Sequence, residues 1–210
     1  MDAVGMTTPR RVRDEEQKER PDFTYGWPMA IGSVEVPLLE MVQMYGVIAN
    51  HGVFEPLTYF CGLADQHGAI TTPFFDIPPS QVIEEQAADG VDSILRDPES
   101  KPEGFWRKIL TIPGVDVAAK TGTSNLCLER DVYGRCVRYG VNNVWTMGYG
   151  PKLVVGVWVG NADASAMDDL ADGLTVAAPI WHKFLERAES AYQGGEVCTE
   201  DLTKLEKNIE

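Results

Sequence analysis

The chain has 210 residues, of which 44% are hydrophobic and 24% are charged, values that exclude a wholly disordered or collagen-like protein. This length favours one domain that can bury its own core. The 18 Lys and Arg residues are outnumbered by 32 Asp and Glu residues, and the resulting formal charge of −14 argues against binding to nucleic acid or to anionic lipid.

The first 22 residues are predicted to form a charged entry segment. Residues Arg10–Arg20 mix both signs of charge with almost no apolar side chains, a pattern typical of a solvated loop or a frayed helix. No apolar core of a signal peptide is present in Met1–Arg20. The longest apolar stretch, Leu153–Val159, is interrupted by Gly156 and is far shorter than the roughly 20 residues of a membrane-spanning helix. We therefore expect no membrane span in this chain.

The middle of the chain contains two helical patterns. In Pro37–Asn50 apolar residues recur at three- and four-residue spacing, and Asn50-His51-Gly52 supplies the stop signal, because Asn and Gly tolerate the left-handed conformation that ends helices. Short strands and turns are predicted for Val53–Ile77. A second helix is predicted over Gln81–Arg96, followed by a proline-containing loop at Asp97–Gly104.

The last third of the chain combines strands with one helix. Val115–Lys120 is predicted as a short strand, and Val144–Tyr149 with Leu153–Val159 has the pattern of a β-hairpin. An amphipathic helix is expected over Val176–Ser190, before a polar tail at residues 191–210. The order of elements predicts an α+β fold (layered α/β) in which helices cover an antiparallel sheet.

The most distinctive local feature is Lys120-Thr121-Gly122-Thr123, at the end of the Val115–Lys120 strand. Taken alone, this tetrapeptide is equally compatible with a polar strand end followed by a glycine turn. Its context is more specific, since several further runs resemble, in the same order, the end of the transpeptidase domain of class A penicillin-binding proteins, the bifunctional enzymes that polymerise and crosslink peptidoglycan. The runs that carry the resemblance are Ala30–Val36, Tyr45–Gly52, Val117–Asn125, Asn142–Tyr149, Val154–Asn161 and Ala177–Trp181.

The resemblance covers residues 23–190 and implies part of a serine transpeptidase or β-lactamase-like fold. Such enzymes are similar in using a Ser-x-x-Lys pair, a Ser-x-Asn triplet and a Lys-Thr-Gly triplet. The serine attacks the D-Ala-D-Ala bond of a stem peptide, and the amine of a second stem peptide resolves the acyl-enzyme. β-Lactams imitate the D-Ala-D-Ala end. The implied partners are therefore stem peptides and β-lactams, and the implied location is the extracytoplasmic face of the bacterial cell membrane.

The resemblance assigns substrate binding to four consecutive residues. Lys120 would place an ammonium beside the terminal carboxylate of the substrate and support proton transfer at the nucleophile. Thr121 and Thr123 would offer hydroxyl groups, and the N–H of Thr123 would serve the oxyanion hole. Gly122 would let the substrate approach the strand closely. An edge strand can itself pair with an extended peptide.

The nucleophile motif is missing from these residues. None of the seven serines has Lys three positions later or Asn two positions later. Ser93 has Arg96 three positions later, and a permanently charged guanidinium cannot act as the base. In the family both motifs lie upstream, which here would be before Met1. The chain would then be either a fragment of a longer enzyme or a separate polypeptide that completes a site with another chain, and in both cases we expect the upstream half of the transpeptidase domain to be its partner. A smaller departure is Gly150, where the family often carries Thr.

The chain has four cysteines, and the sequence leaves open whether two of them form a disulfide. Cys127 and Cys136 flank a polar loop, and a disulfide between them would suit an exported protein, although two free thiols are equally compatible with the spacing. Cys61 and Cys198 have no evident partner. The three histidines show no metal-ligand spacing, so neither a metal nor a cofactor is expected.

Two alternatives to a transpeptidase part remain at this point. The chain could be a non-catalytic module that recognises peptide ends, or a relative of the serine β-lactamases, which share the Lys-Thr-Gly triplet. The hairpin within Trp145–Asn161 favours the transpeptidase reading.

Overall fold

The computed structural model describes residues 1–59, 63–67, 70–71 and 78–192. The helices in these ranges are α1 (Thr8–Glu19), α2 (Leu38–Ala49), α3 (Glu85–Arg96), α4 (Phe105–Ile109) and α5 (Ala178–Ala191). The strands are β1 (Val53–Phe54), β2 (Leu63–Ala64), β3 (Ile70–Thr71), β4 (Ser80–Gln81), β5 (Ala118–Arg130), β6 (Cys136–Tyr149) and β7 (Val154–Val159). None of these helices combines the length and hydrophobicity that crossing a lipid bilayer requires.

The main sheet is antiparallel and has the order β5-β6-β7. β6 lies in the middle, so Lys120 of β5 pairs with Met147, which pairs in turn with Gly156 of β7. Two short antiparallel pairs, β1 with β4 and β2 with β3, lie outside this sheet. The predicted α+β arrangement of helices and an antiparallel sheet is confirmed.

One face of the sheet packs on α5 and contains the hydrophobic core. Trp181 and Leu185 of α5 are fully buried against Ala119 of β5 and Val155 of β7. A π-helical turn at Gly173–Ala177 leads into α5 on this face. Burying such large side chains supplies about 1.5–3 kcal/mol each, so this layer holds the sheet in place.

The opposite face of the sheet packs on α2 and α3. A Cβ on Gly156 would lie within 3 Å of Val42 and Leu38 of α2 and of Met147 on the neighbouring strand, so the glycine lets the helix approach closely. α2 ends as the sequence predicts, because His51 and Gly52 adopt left-handed conformations with φ of 53° and 86°. Because successive side chains of a strand point to opposite faces, alternate residues of β5 face α5 on one side and α2 with α3 on the other.

The entry segment contains a regular helix, α1, whose first turn is fixed by another helix. The carboxylate of Glu40 on α2 accepts the backbone N–H of Thr8 at 3.1 Å and its hydroxyl at 2.8 Å. A carboxylate at a helix N-terminus satisfies free N–H groups and complements the helix dipole. The sequence of residues 10–20 alone could not predict this contact, because Glu40 belongs to a different helix.

Several predicted boundaries were wrong. The strand predicted at Val115–Lys120 is instead β5, which continues to Arg130, and β6 begins well before Val144. The second helix was predicted from Gln81 but begins at Glu85, since Ser80 and Gln81 form strand β4, which pairs with β1. The polar tail beyond residue 192, which includes Cys198, lies outside the described residues, and so does Cys61. Ala191, the first residue of the predicted tail, is the last residue of α5.

Candidate functional site

Lys120 lies on the exposed edge strand of the main sheet, close to its start. The side chain is exposed, and its ammonium donates a hydrogen bond to the carbonyl of Thr121 at 2.7 Å. An ammonium has three protons, so this bond leaves two for a ligand. The position opposite, Met147, is buried at 3% exposure and anchors the strand beneath the lysine.

Thr123 is held by the turn that precedes α5. Its hydroxyl oxygen accepts the backbone N–H of Gly173 at 3.1 Å, and the carbonyl of Gly173 accepts the hydroxyl of Thr146 at 2.8 Å. A Cβ on Gly173 would lie 2.7 Å from the carbonyl oxygen of Gly122, so a residue other than glycine would push this turn off the strand. Thr123 is nevertheless exposed, and within the described residues its own hydroxyl proton has no acceptor and can be donated to a ligand.

Gly122 has open space on the side where a side chain would project, as far as the described residues reach. A Cβ there would meet only the Cβ of Trp145, at an ordinary contact distance of 3.5 Å. Within the described residues, space at Gly122 is thus not limited by the chain itself. The close approach at this point is made by Gly173, and no sequence pattern near Gly122 marks it.

The outer edge of β5 is unpaired among the described residues, since β6 is its sole partner in the three-stranded order. Alternate residues of such a strand direct N–H and C=O groups away from the sheet. Lys120 and Thr123 therefore stand next to a row of backbone groups that can pair with an extended peptide. The structure brings all four predicted site residues, Lys120–Thr123, onto this one edge.

A partly buried polar cluster anchors the start of β5 to α3. Arg96 donates from Nε to both carboxylate oxygens of Asp92 at 2.9 Å and from Nη1 to the carbonyl of Asp116 at 2.8 Å. The fully buried Tyr149 donates its hydroxyl to Asp92 at 2.7 Å, and its ring lies 5.1 Å below the guanidinium. Burial, followed by the hydrogen bond to Asp92, raises the pKa of Tyr149 above its ordinary range. Sequence reasoning missed this cluster, because it joins residues far apart in the chain.

The hydroxyl of Ser93 is committed to helix α3, where it donates to the carbonyl of Gly90 at 2.9 Å. Arg96, three residues later, is held in the Asp92 cluster rather than beside Ser93. These contacts agree with the sequence argument that Ser93 and Arg96 are not a nucleophile and its base.

Beyond the site, β5 and β6 continue as a two-stranded ribbon whose tip is crosslinked. Cys127 and Cys136 form a disulfide with a Cα–Cα distance of 5.7 Å. In the turn between them, the carboxylate of Asp131 accepts the N–H groups of Tyr133 and Arg135 and the Nε of Arg135, each at 2.9 Å. These bonds hold the pKa of Asp131 below its ordinary value.

No cluster of three or more His, Cys, Asp or Glu side chains suited to a metal occurs in the described part of the chain. His51 pairs with Asp89 at 2.7 Å, and Asp172 caps the turn at Gly173–Ala177 through the N–H groups of Leu174 and Thr175. A cavity of about 280 Å³ lies between α1 and residues 23–35, away from the residues of the main sheet. It therefore takes no part in the site on β5.

Comparison with known proteins agrees with this arrangement. A family model described as the penicillin-binding protein transpeptidase domain matches residues 6–186. Penicillin-binding protein 1A of Aquifex aeolicus is 25% identical over an alignment of 176 residues that covers 79% of this chain and 20% of that protein. The counterpart from Rickettsia conorii is 26% identical over 184 residues, covering 77% and 21%. The chain spans about one fifth of the length of these relatives.

Solved structures share the fold. The penicillin-binding protein PonA1 of Mycobacterium tuberculosis superposes with a TM-score of 0.61 at 20% identity, over 80% of this chain and 42% of that one. Its complex with penicillin V gives a TM-score of 0.60 at 19% identity over the same shares. A peptidoglycan synthetase of Bifidobacterium adolescentis gives 0.60 at 18% identity, over 82% and 30%. Since the family model matches most of its length, this chain belongs to the penicillin-binding protein transpeptidase domain family.

Proposed function

We propose that this chain supplies the substrate-binding strand of a peptidoglycan D-Ala-D-Ala transpeptidase site. The observation that carries the proposal is the exposed ammonium of Lys120 on the outer edge of β5, which has no pairing partner among the described residues; Thr123, also exposed, follows three residues later on the same strand. An extended peptide can pair with this edge while its terminal carboxylate meets the ammonium. The terminal D-Ala-D-Ala of a stem peptide has this chemistry.

The serine that attacks the peptide comes from outside these 210 residues, in the upstream half of the domain. Its oxygen adds to the carbonyl carbon of the D-Ala-D-Ala bond, the C–N bond breaks, and the departing D-Ala amine takes up the proton of the serine. The amine of a second stem peptide then attacks the ester, and the serine oxygen leaves and regains a proton. Lys120 holds the carboxylate in the first step and stabilises negative charge that develops near it.

β-Lactams are the second class of ligand that we propose. One of the structural neighbours is the PonA1 protein in complex with penicillin V. A β-lactam carries a carboxylate next to an amide, so Lys120 and Thr123 would hold it as they hold the peptide. The working location would be the extracytoplasmic face of the bacterial cell membrane, where peptidoglycan is crosslinked.

A covalent labelling assay tests this proposal. The chain is mixed with a fluorescent penicillin, alone and together with a polypeptide that carries the upstream half of a related domain with Ser-x-x-Lys. We expect a labelled band on a denaturing gel only in the mixture, and we expect the label to reside on the upstream polypeptide. Lys120→Ala should reduce labelling at least about tenfold, as expected for the loss of a charge-assisted contact.

Lys183→Ala removes an exposed lysine of α5 and is the matched control. It should leave labelling unchanged. Labelling of this chain by itself would contradict the external serine, and equal labelling of the native and Lys120→Ala chains would contradict the role of Lys120.

The second candidate is a non-catalytic module that recognises peptide ends. The open edge of β5, together with the lack of Ser-x-x-Lys in these residues, favours it. Reversible binding of a D-Ala-D-Ala peptide to the chain, with no covalent label in the mixture, would select this candidate over the transpeptidase site.

A further inference from the structure

The strand that carries Lys120 is interrupted a few residues further on by a bulge in its partner. Pairing of β5 with β6 is continuous from Ala118 opposite Tyr149 to Ser124 opposite Asn143, and it resumes with Asn125 opposite Val141. Asn142 is therefore an extra residue of β6 with no partner on β5. An extra residue of this kind bends the strand pair and increases its twist.

Side-chain hydrogen bonds fix the bulge across all three strands. Ser124 donates its hydroxyl to Oδ1 of Asn142 at 3.1 Å and accepts Nδ2 of Asn143 at 3.1 Å. Oδ1 of Asn143 accepts the indole N–H of Trp158 on β7 at 2.9 Å. These four side chains connect β5, β6 and β7 around the bulge, with Ser124 opposite Asn143 and Trp158 opposite Trp145, so side chains of all three strands hold the bulge in place.

Backbone packing also holds the bulge. A Cβ on Gly160 would lie 2.9 Å from the carbonyl oxygen of Asn142, so the glycine that follows β7 allows the bulged residue to sit against the sheet. Thr123, which precedes Ser124 on β5, accepts the backbone N–H of Gly173 through its hydroxyl oxygen. The strand is thus held at Thr123 and Ser124 from two sides.

The bend limits how much of the open edge is straight. The stretch Lys120–Ser124 spans about 17 Å at about 3.4 Å per residue. A peptide that pairs antiparallel to β5 with its carboxylate at Lys120 runs back towards Ser124 with its preceding residues. The added twist expected at a bulge would turn the outer edge of β5 beyond Ser124 out of line with the preceding residues, and further residues of the peptide would then lose their backbone partners.

We propose that the Asn142 bulge, braced by Ser124 and Asn143, ends the peptide-binding stretch of β5 at Ser124, so that the strand recognises only the last few residues of a peptide with a free carboxylate. Ser124, Asn142 and Asn143 are positioning residues, since they act through the shape of the strand. This inference rests on the proposed function and adds the length of peptide that the site recognises.

The test compares peptides of three, five and eight residues that all end in D-Ala-D-Ala. Their affinity for the full chain is measured by fluorescence anisotropy with a label at the peptide N-terminus. For the native chain we expect affinity to rise from three to five residues and to change less than about twofold from five to eight, because the added residues find no straight edge.

Two variants remove the bulge in different ways. Deletion of Asn142 should straighten the pair, so that the eight-residue peptide binds at least about fivefold more tightly than the five-residue peptide. The double variant Ser124→Ala/Asn143→Ala keeps the residue count but removes the side-chain hydrogen bonds that hold the bulge. In this variant the eight-residue peptide should also bind more tightly than the five-residue peptide, but by a smaller factor than after deletion of Asn142. A merely structural role would weaken all three peptides equally. Circular dichroism establishes that both variants are folded.

Ser190→Ala, an exposed serine at the end of α5, is the control and should keep the native length dependence. Native affinity that rises steadily to eight residues would overturn the inference, as would folded variants that both retain the native length dependence. Either result leaves the proposed function intact. Absence of binding by every peptide, or binding that Lys120→Ala does not weaken, would remove the proposed function and this inference together.

Discussion

Among single residues, Gly150 and Glu189 form a pair that explains a departure from the family pattern. Glu189, 5% exposed on α5, accepts the N–H of Lys152 at 3.1 Å and that of Leu153 at 3.0 Å. A Cβ on Gly150 would lie 2.2 Å from Oε1 of Glu189. The carboxylate thus occupies the space that a threonine side chain would need at position 150.

This pair predicts strongly non-additive stabilities. Glu189→Ala should lower the free energy of unfolding by about 1–3 kcal/mol, because two backbone N–H groups lose their acceptor. Gly150→Ala should also destabilise the chain, since its Cβ collides with the carboxylate. In the double variant the collision is absent, so the combined loss should fall short of the sum of the two single losses by more than about 0.5 kcal/mol. Urea unfolding measures all three, with exposed Glu186→Ala as control; additive losses would contradict the pairing.

His51 predicts a dependence of stability on pH. Its Nδ1 lies 2.7 Å from Oδ1 of Asp89 on α3, and this hydrogen bond, with the charges of Asp89, Glu85 and Asp92, raises the pKa of the imidazole above 6.5. A raised folded-state pKa stabilises the protein fully below the unfolded pKa and loses that effect as pH rises through the folded value. His51→Gln should therefore lower Tm more at about pH 5.5 than at about pH 8.5. An equal change in Tm at both pH values would contradict the pairing.

At the scale of elements, the ribbon beyond Ser124 is predicted to depend on its disulfide. Residues 118–124 of β5 lie between two helical layers, whereas the tip is stabilised mainly by strand pairing, the Asp131 turn and the Cys127–Cys136 bond. The double variant Cys127→Ser/Cys136→Ser should speed amide hydrogen exchange in residues 125–141 and leave residues 118–123 protected. Treatment of the native chain with a reductant should have the same effect. Exchange that rises equally along β5 would show that the disulfide stabilises the whole sheet instead.

The contrast between the part of the sheet packed between helices and the exposed ribbon also explains which elements could be predicted from the sequence. α2, and the hairpin that Val144–Tyr149 of β6 forms with β7, were predicted to within a few residues, because their buried faces produce a clear apolar period. The outer half of β5 was missed, since residues such as Asn125 and Glu129 are exposed and no burial pattern marks them. The candidate site was predicted from Lys120–Thr123, but its supports at Arg96 and Gly173 come from distant parts of the chain. The Asp-x-x-Thr pattern at Asp172 was a readable sign of the capped turn.

For the whole molecule, a net charge of −14 coexists with large apolar side chains on the surface. Trp27 and Ile31, in the 3₁₀ turn at Trp27–Ile31, are 94% and 89% exposed, and Leu39 at the start of α2 is 46% exposed. Soluble monomers rarely leave such side chains together in water. We therefore expect this surface to be covered when the upstream half of the domain is present.

The exposed turn predicts how the chain behaves on its own. Without a partner, exposed Trp27 and Ile31 should drive concentration-dependent self-association, which light scattering coupled to size-exclusion chromatography detects. Trp27→Ser/Ile31→Ser should shift the chain towards a monomer and weaken its complex with the upstream polypeptide at least about tenfold, since two large side chains lose their burial. Val132→Ser removes an equally exposed residue, 93% accessible, from the tip of the ribbon and should change neither property. If Val132→Ser dispersed the chain and the double variant did not, the association would run through the ribbon and the turn at Trp27–Ile31 would be an ordinary exposed surface.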